Sequence, residues 1–202
     1  MVSAFFVYYM KYLLASILLI LFISCQDYTP KPIGYSRIEF PESKIIKYSF
    51  SDYSFDYPDY IIIDTLYSHI QSQYWFNIVY SQFNAVVHCT YLNITKDKLP
   101  QVLEDSYHLA YSHALKADGI TQKLYANEEV NVSGIMYEID GDVATPIQFF
   151  VTDSIRHFLR GSFYYTNKVD RDSVLPITDL VREDIRRMMN TFSWNEINKN
   201  EP

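Results

Sequence analysis

The sequence predicts an α+β domain, a mainly antiparallel sheet flanked by two or more helices. Three observations carry that expectation. Nineteen tyrosines and thirteen phenylalanines in 202 residues, 49% of them hydrophobic, favour pleated, half-buried strands. Several short runs alternate apolar and polar residues and are separated by turn residues. Two longer segments instead repeat their apolar positions at helical spacing. With five glycines and eight prolines the chain is neither collagen-like nor low in complexity, and its length suits one domain with a real core.

In chain order, Tyr35-Ser-Arg-Ile-Glu-Phe40 alternates and stops at Pro41, and Lys44 to Phe50 and Tyr60-Ile-Ile-Ile-Asp64 are further short strands. Trp75 to Tyr80 and Ala85 to Ile94, joined by Ser81-Gln-Phe-Asn84, read as a hairpin. From Leu99 to Asp118 apolar residues recur at 99, 102, 103, 110, 114 and 117, so a helix is expected there, ending at Gly119. Val130 to Asp140, Thr145 to Thr152 and Arg156 to Thr166 follow with short turns at Gly141-Asp142 and Asp153-Ser154, a meander of antiparallel neighbours. A last helix is expected from Leu175 to Thr191, with Pro176 in its first turn and Ile177, Leu180, Val181, Ile185, Met188 and Phe192 facing inward. The predicted domain spans 35–195, with a short tail at 196–202.

Residues 1–24 read as a signal peptide. Lys11 precedes an apolar run from Tyr12 to Ile23, about half the length needed to span a bilayer, and Ser24-Cys25 closes it. A transmembrane helix that also used Ala4 to Met10 would put Lys11 near mid-membrane at a cost of roughly 3 kcal/mol. Read from Met10, an alternative start, the segment is compact and carries its positive charge at the front. Leu21-Phe-Ile-Ser-Cys25 resembles a bacterial lipobox, with Phe22 departing from the usual leucine, and the thiol of Cys25 is the expected site of diacylglycerol attachment and acylation, with palmitate among the chains. Two or more acyl chains give stable membrane anchoring. Residues 25–34 then form a lipidated tether in which Pro30 and Pro32 favour an extended course, reaching about 30 Å at most.

The formal charge is −7, and since the first 24 residues hold one lysine and no acid, the remainder carries −8. A basic patch able to neutralise phosphates is missing, so nucleic acid is not an expected partner. With Cys25 acylated, Cys89 has no mate, and its place in the apolar run Ala85-Val-Val-His-Cys-Thr-Tyr91 makes it a small buried hydrophobe.

Catalytic motifs do not emerge. His108 and His113 are five apart, about 140° around a helix, and cannot chelate one ion. Glu104 and His108 share a helical face, the pattern of a solvated polar surface. Asp153, Ser154 and His157 contain the residue types of a hydrolytic triad, but no nucleophile elbow surrounds the serine. Glycine loops for phosphate and nucleotide fingerprints are absent, and no cofactor or metal is expected.

Nearly the whole mature chain resembles the GldD family, lipoproteins required for gliding motility in Bacteroidetes. The likeness rests on Asp27-Tyr-Thr-Pro-Lys-Pro-Ile-Gly-Tyr35, Arg37-Ile38, Phe40-Pro41, Ser54-Phe55, Tyr57-Pro58, Trp75-Phe-Asn-Ile78 and Phe83-Asn-Ala85. It continues through His113, Lys116-Ala-Asp118, Tyr137-Glu-Ile139, Gly141, Gln148-Phe-Phe150, Thr152-Asp-Ser154 and Phe158-Leu-Arg-Gly161. Ile33, Ser36 and Gly119 depart from the family pattern, which removes any basic contact at 33. The meander with its flanking helices is also similar to the Mog1/PsbP-like α-β-α sandwich. The family resemblance implies a cell-envelope component of the gliding apparatus, linked to type IX secretion, with other envelope proteins of that system as partners and no known catalytic residue. Three segments, Asp64-Thr65-Leu66, Asp153-Ser154-Ile155 and Asp172-Ser173-Val174, resemble the O-glycosylation acceptor of exported proteins in that phylum.

The leading functional expectation is therefore a non-enzymatic assembly or stability factor held on the inner or outer membrane, most simply facing the periplasm. Tyr28, Pro30, Lys31, Pro32, Gly34, Tyr35 and Arg37 are candidate partner-binding residues, because extended proline segments lose little entropy on binding and aromatics contribute strongly at interfaces. Docking of Tyr28 and Tyr35 on the protein's own sheet is the competing reading. A periplasmic enzyme acting on a cell-wall or glycan substrate is the alternative function, and capture of a small hydrophobic ligand a third. Clustered carboxylates in a deep pocket would favour the enzyme; an exposed apolar or aromatic patch would favour the binding module.

Overall fold

A computed structural model describes residues 9–14, 38–66 and 73–195. The chain divides into two units, Met1–Tyr35 and Ser36–Pro202. In the first unit, residues 9–14 are helical and exposed. No helix among the described residues is long and apolar enough to cross a membrane. The rest of the expected signal peptide, the acyl acceptor Cys25, the tether and the candidate residues Tyr28, Pro30, Lys31, Pro32, Gly34, Tyr35 and Arg37 lie outside the described residues, as does the tail from 196 onward.

The second unit is α+β, as its composition and periodicity predict. Its strands are β1 (Ile45–Ser49), β2 (Tyr53–Pro58), β3 (Ile62–Leu66), β4 (Gln73–Tyr80), β5 (Ala85–Asn93), β6 (Ala117–Asn127), β7 (Val132–Gly141), β8 (Ile147–Thr152), β9 (His157–Tyr165) and β10 (Ser193–Trp194). Helix α1 (Leu99–Tyr111) joins β5 to β6, and α2 (Arg171–Thr191) joins β9 to β10. Seven strands form one sheet in the order β3-β4-β5-β9-β8-β7-β6, and β1-β2-β10 form a second. Every pairing is antiparallel.

Alternation assigns the two faces of the large sheet. Phe76, Ile78, Val87, Cys89, Phe149, Leu159 and Phe163 point to one face, where they meet Val181, Ile185 and Met188 of α2 and Tyr53 and Phe55 of the small sheet. Here the aromatic content is spent: Tyr53 stacks on Phe192 at 5.6 Å, and Phe55 on Phe192 at 6.0 Å. Tyr137, Ile139, Phe150 and Phe158 point to the opposite face and pack against Leu99, Val102, Leu103 and Ala110 of α1. β8 is buried on both faces along its length, which explains its unbroken Ile147-Gln-Phe-Phe-Val-Thr152 composition.

Several expectations hold and others are displaced. The hairpin β4–β5 turns through a single 3-10 turn at Ser81–Phe83, with Asn84 in the left-handed region at φ 50°. The meander β7-β8-β9 is present. Helix α1 stops at Tyr111 instead of reaching Asp118, and β6 begins at Ala117, because backbone pairing with β7 takes residues that helical spacing alone would have kept. Gly119 follows a register shift between Ala117 and Gly119, so it serves a bulge and not a helix end. Helix α2 begins four residues earlier than expected, capped by Asp170, whose carboxylate accepts from the Ser173 N–H at 3.1 Å. Pro176 therefore lies inside the helix, where it deprives the exposed Asp172 carbonyl of its helical donor. The strand expected at Tyr35–Phe40 is not formed at residues 38–40; Ile38 packs on the core and Phe40 lies 6.2 Å from Phe83.

A candidate interaction surface

Helix α1 packs over β6, β7, β8 and the Phe158 end of β9 and reaches Leu92 of β5. Alternate side chains of β3, β4, β5 and β9 project from the remainder, and register places them in three rows. Ile62, Val79, Val86 and Tyr164 form the first, Asp64, Asn77, His88 and Ser162 the second, and Leu66, Trp75, Thr90 and Arg160 the third. With about 4.8 Å between strands and about 6.8 Å between rows, the platform measures roughly 15 Å on a side.

Large apolar side chains remain bare there: Ile62 is 57% exposed, Leu66 45% and Trp75 39%. The polar row runs between the two apolar ones. His88 Nδ1 lies 2.7 Å from Asn77 Oδ1, and its imidazole sits 5.6 Å from the Tyr164 ring. Those contacts hold the imidazole upright in the middle of the platform. β3 ends the sheet, so among the described residues its outer backbone groups have no strand partner. An apolar surface crossed by hydrogen-bonding groups beside an open strand edge is the anatomy of a protein-docking face.

The strands carrying this face were legible; the face was not. Its signal lay in the outward positions of β4, Trp75, Asn77 and Val79, which mix polar and apolar types while Phe76, Ile78 and Tyr80 do not.

Residues considered for chemistry are placed elsewhere. Glu104 and His108 approach to 3.5 Å on α1, both largely exposed, as a solvated polar face predicts. Asp153 Oδ1 accepts the backbone N–H groups of Ile155, Arg156 and His157 at 2.8–2.9 Å and so shapes the β8–β9 turn. His157 is buried, its Nδ1 2.6 Å from the Tyr91 hydroxyl and its ring stacked 5.0 Å from Trp194. Ser154, at φ 62°, directs its hydroxyl elsewhere, 3.4 Å from that of Ser133. These three residues build a turn and a core contact, not a relay. Among the described residues, no group of three or more His, Cys, Asp or Glu side chains is arranged to hold a metal ion. Of the hydroxyls in Asp-Ser/Thr segments, Thr65 is half-buried, Ser154 is exposed, and Ser173 donates to the Asp170 carboxylate at 2.7 Å.

No curated protein matches the chain. Among solved structures, the solution structure of cyanobacterial PsbP (CyanoP) from Synechocystis sp. PCC 6803 aligns over 82% of this chain and 100% of its own, with 14% identity and a TM-score of 0.43. The family model described as "Gliding motility lipoprotein GldD" matches residues 25–194, beginning at the cysteine expected to carry lipid and ending in β10. By that match over most of its length, the chain belongs to the GldD family of gliding-motility lipoproteins.

Proposed function

We propose that this lipoprotein is a non-enzymatic assembly or stability factor of the gliding machinery, tethered through acylated Cys25 and docking an envelope protein linked to type IX secretion on the bare β3–β4–β5 platform. The observation that carries the reading is Ile62, Leu66 and Trp75 standing exposed together on one sheet face beside an open strand. Three such side chains, scattered, would mean little; gathered on one face and crossed by Asp64, Asn77 and His88, they form a surface that a partner can desolvate. A platform roughly 15 Å across is smaller than a standard interface of about 800 Å² per partner, so further contact is required. In this reading residues 28–35 of the tether supply it.

Site-specific photocrosslinkers at positions 62, 66 and 75 in living cells should capture one envelope protein. Trp75→Glu should abolish that adduct and gliding while export, acylation and thermal stability stay near wild type, the lost contact costing about 2 kcal/mol or more of binding, as at interface hot spots. Replacing residues 28–35 with a Gly/Ser segment of equal length should weaken capture without altering the melting temperature. Wild-type gliding in Trp75→Glu would refute the platform as the docking site, and a melting temperature lowered by the Gly/Ser segment would show that Tyr28 and Tyr35 dock on their own domain.

A further inference from the structure

The large sheet ends in β3 on one side and β6 on the other, and among the described residues neither has a strand beyond it. β3 has five residues, whereas β6 has eleven and is regular from Gly119 to Asn127. Open edges of this length are ordinarily blunted by proline, by free charge, by a bulge or by a covering element. β6 carries no proline, and its bulge lies at one end, between Ala117 and Gly119. Its one lysine, Lys123, is taken up 2.8 Å from Glu138 of β7. Leu124, in contrast, stands 81% exposed in the regular stretch and contributes little to the core of its own domain.

The faces of β6 follow from its pairing with β7. Ile120, Gln122 and Leu124 lie opposite Ile139, Tyr137 and Ile135 and share the α1 face. Gly119, Thr121, Lys123 and Tyr125 share the α2 face, where Tyr125 packs on the core. Only alternate residues of an edge strand turn their N–H and C=O outward, so a second β6 laid antiparallel along this edge is centred on a residue. Centred on Lys123, two lysines stand directly opposed. Centred on Thr121, Leu124 faces Asp118 of the second copy. Centred on Gln122, the middle of the strand, Leu124 faces Ile120 and Lys123 faces Thr121, apolar against apolar with no like charges opposed. That register also sets Tyr125 across from Gly119, where a Cβ would meet nothing within 4 Å, the arrangement in which an aromatic ring shields an edge glycine.

We propose that two copies of this chain join through antiparallel β6 strands about a two-fold axis at Gln122, their seven-stranded sheets becoming one of fourteen. A second copy is the occupant because the strand matches itself in one register on apolar pairing, on charge and on the glycine–aromatic contact together. A pairing confined to one strand is smaller than a standard interface of about 800 Å² per partner, so the dimer is weak in dilute solution and is favoured where a membrane gathers both copies. β3 stays free at each outer end of the joined sheet, so the dimer presents two copies of the docking platform. Dimer formation itself does not depend on what that platform binds.

The test uses the full-length protein in the cells that make it, with mild oxidation and non-reducing gels as the readout. Cys89 is buried and Cys25 is the expected lipid carrier, so a thiol introduced on the edge is the free one. Gln122→Cys should give a disulfide-linked dimer, since the pair on the two-fold axis is about 5 Å apart at Cα. Ile120→Cys alone or Leu124→Cys alone should give about tenfold less, each lying about 14 Å from its own counterpart, and the double variant should restore the dimer. Lys96→Cys, in the loop before α1, should give background only. Leu124→Glu removes both symmetric Leu124–Ile120 contacts at a position too exposed to disturb the fold. It should lower Gln122→Cys crosslinking about tenfold and leave the melting temperature of dilute protein unchanged. A photocrosslinker at Ala126, beside the paired stretch, should give an adduct of twice the chain's mass, and an adduct of another mass would hand the edge to a different protein and overturn the proposal. Gln122→Cys crosslinking no better than Ile120→Cys or Lys96→Cys, or unmoved by Leu124→Glu, would overturn it as well.

Discussion

Asp184 is buried in α2, where the Tyr60 hydroxyl donates to its carboxylate at 2.5 Å and Tyr80 supplies a second hydrogen bond. Burial raises this carboxyl from the usual 3.8 to about 6, even though the hydrogen bonds from Tyr60 and Tyr80 and the charge of Arg187 act the other way. Between those two values the folded chain holds a proton that the unfolded chain has released. Stability contributed by this site is therefore fully present below about pH 4 and is lost as pH rises through about 6. A tenfold change in proton affinity is worth about 1.4 kcal/mol, so the whole loss amounts to about 3 kcal/mol. Asp184→Asn keeps the size and a carbonyl acceptor for Tyr60 but cannot titrate. Its amide N–H groups impose a fixed offset, about 1–3 kcal/mol if unpaired, and that offset does not vary with pH. Urea unfolding of both proteins at intervals from pH 4 to pH 7 should show the difference between them moving by about 2–3 kcal/mol in favour of the variant. The movement should be confined to the window below about pH 6.5 and flatten above it. A difference that stays constant across the series would refute the reasoning, and one that moves toward wild type would reverse its sign.

Gly161→Ala should destabilise the domain, because its Cβ would lie 2.4 Å from two ring carbons of Phe149 and 3.2 Å from Val87 Cγ1. Overpacking of this kind costs about 1–3 kcal/mol, which thermal scans should read as a drop of roughly 3–10 °C. Cys89 is 2% exposed and burial pushes its thiol pKa well up, so it should resist alkylation in the folded protein and take one equivalent after denaturation, as intact mass will report. Cys25→Ser should abolish metabolic lipid labelling and leave uncleaved precursor; normal acylation of that variant would contradict the anchoring proposal.

Legibility from sequence followed burial. The meander β7-β8-β9 and the hairpin β4–β5 were readable because each strand has at least one dry face and its turn residues stand at the ends. β6 was not: as an edge strand it buries little, Leu124 is 81% exposed, and Ala117 to Asn127 carries no alternation strong enough to compete with the helical spacing just before it. β2 was missed although Tyr53, Phe55 and Tyr57 alternate with Ser54 and Asp56; its strand signal is six residues long and ends in Pro58. The docking platform depended on where α1 stops across the sheet, which is a property of packing between residues 99–111 and 135–158 and is written in no single segment. Cys25, by contrast, rests on a local motif and the tether residues on family resemblance, and both lie outside the described residues.

The order of strands also sets a timetable. β5 pairs with β9, so Ala85 waits for Tyr165 and Asn93 for His157, and the two halves of the large sheet join only there. The small sheet is later still: Tyr53 and Ser54 meet Trp194 and Ser193, almost at the far end of the chain. A polypeptide emerging N-terminus first can form the β3-β4-β5 half early, yet it must hold Val87, Cys89 and Tyr91 unpaired along their second edge until some seventy further residues have emerged, a separation that slows closure through loop entropy. Until β9 and α2 arrive, an aromatic, strand-rich intermediate stands open beside the membrane to which its own lipid confines it. For this fold the hazard is greatest before the last thirty residues are out, and the C-terminal Phe192 and Trp194, which seal the Tyr53 cluster, are the latch that ends it.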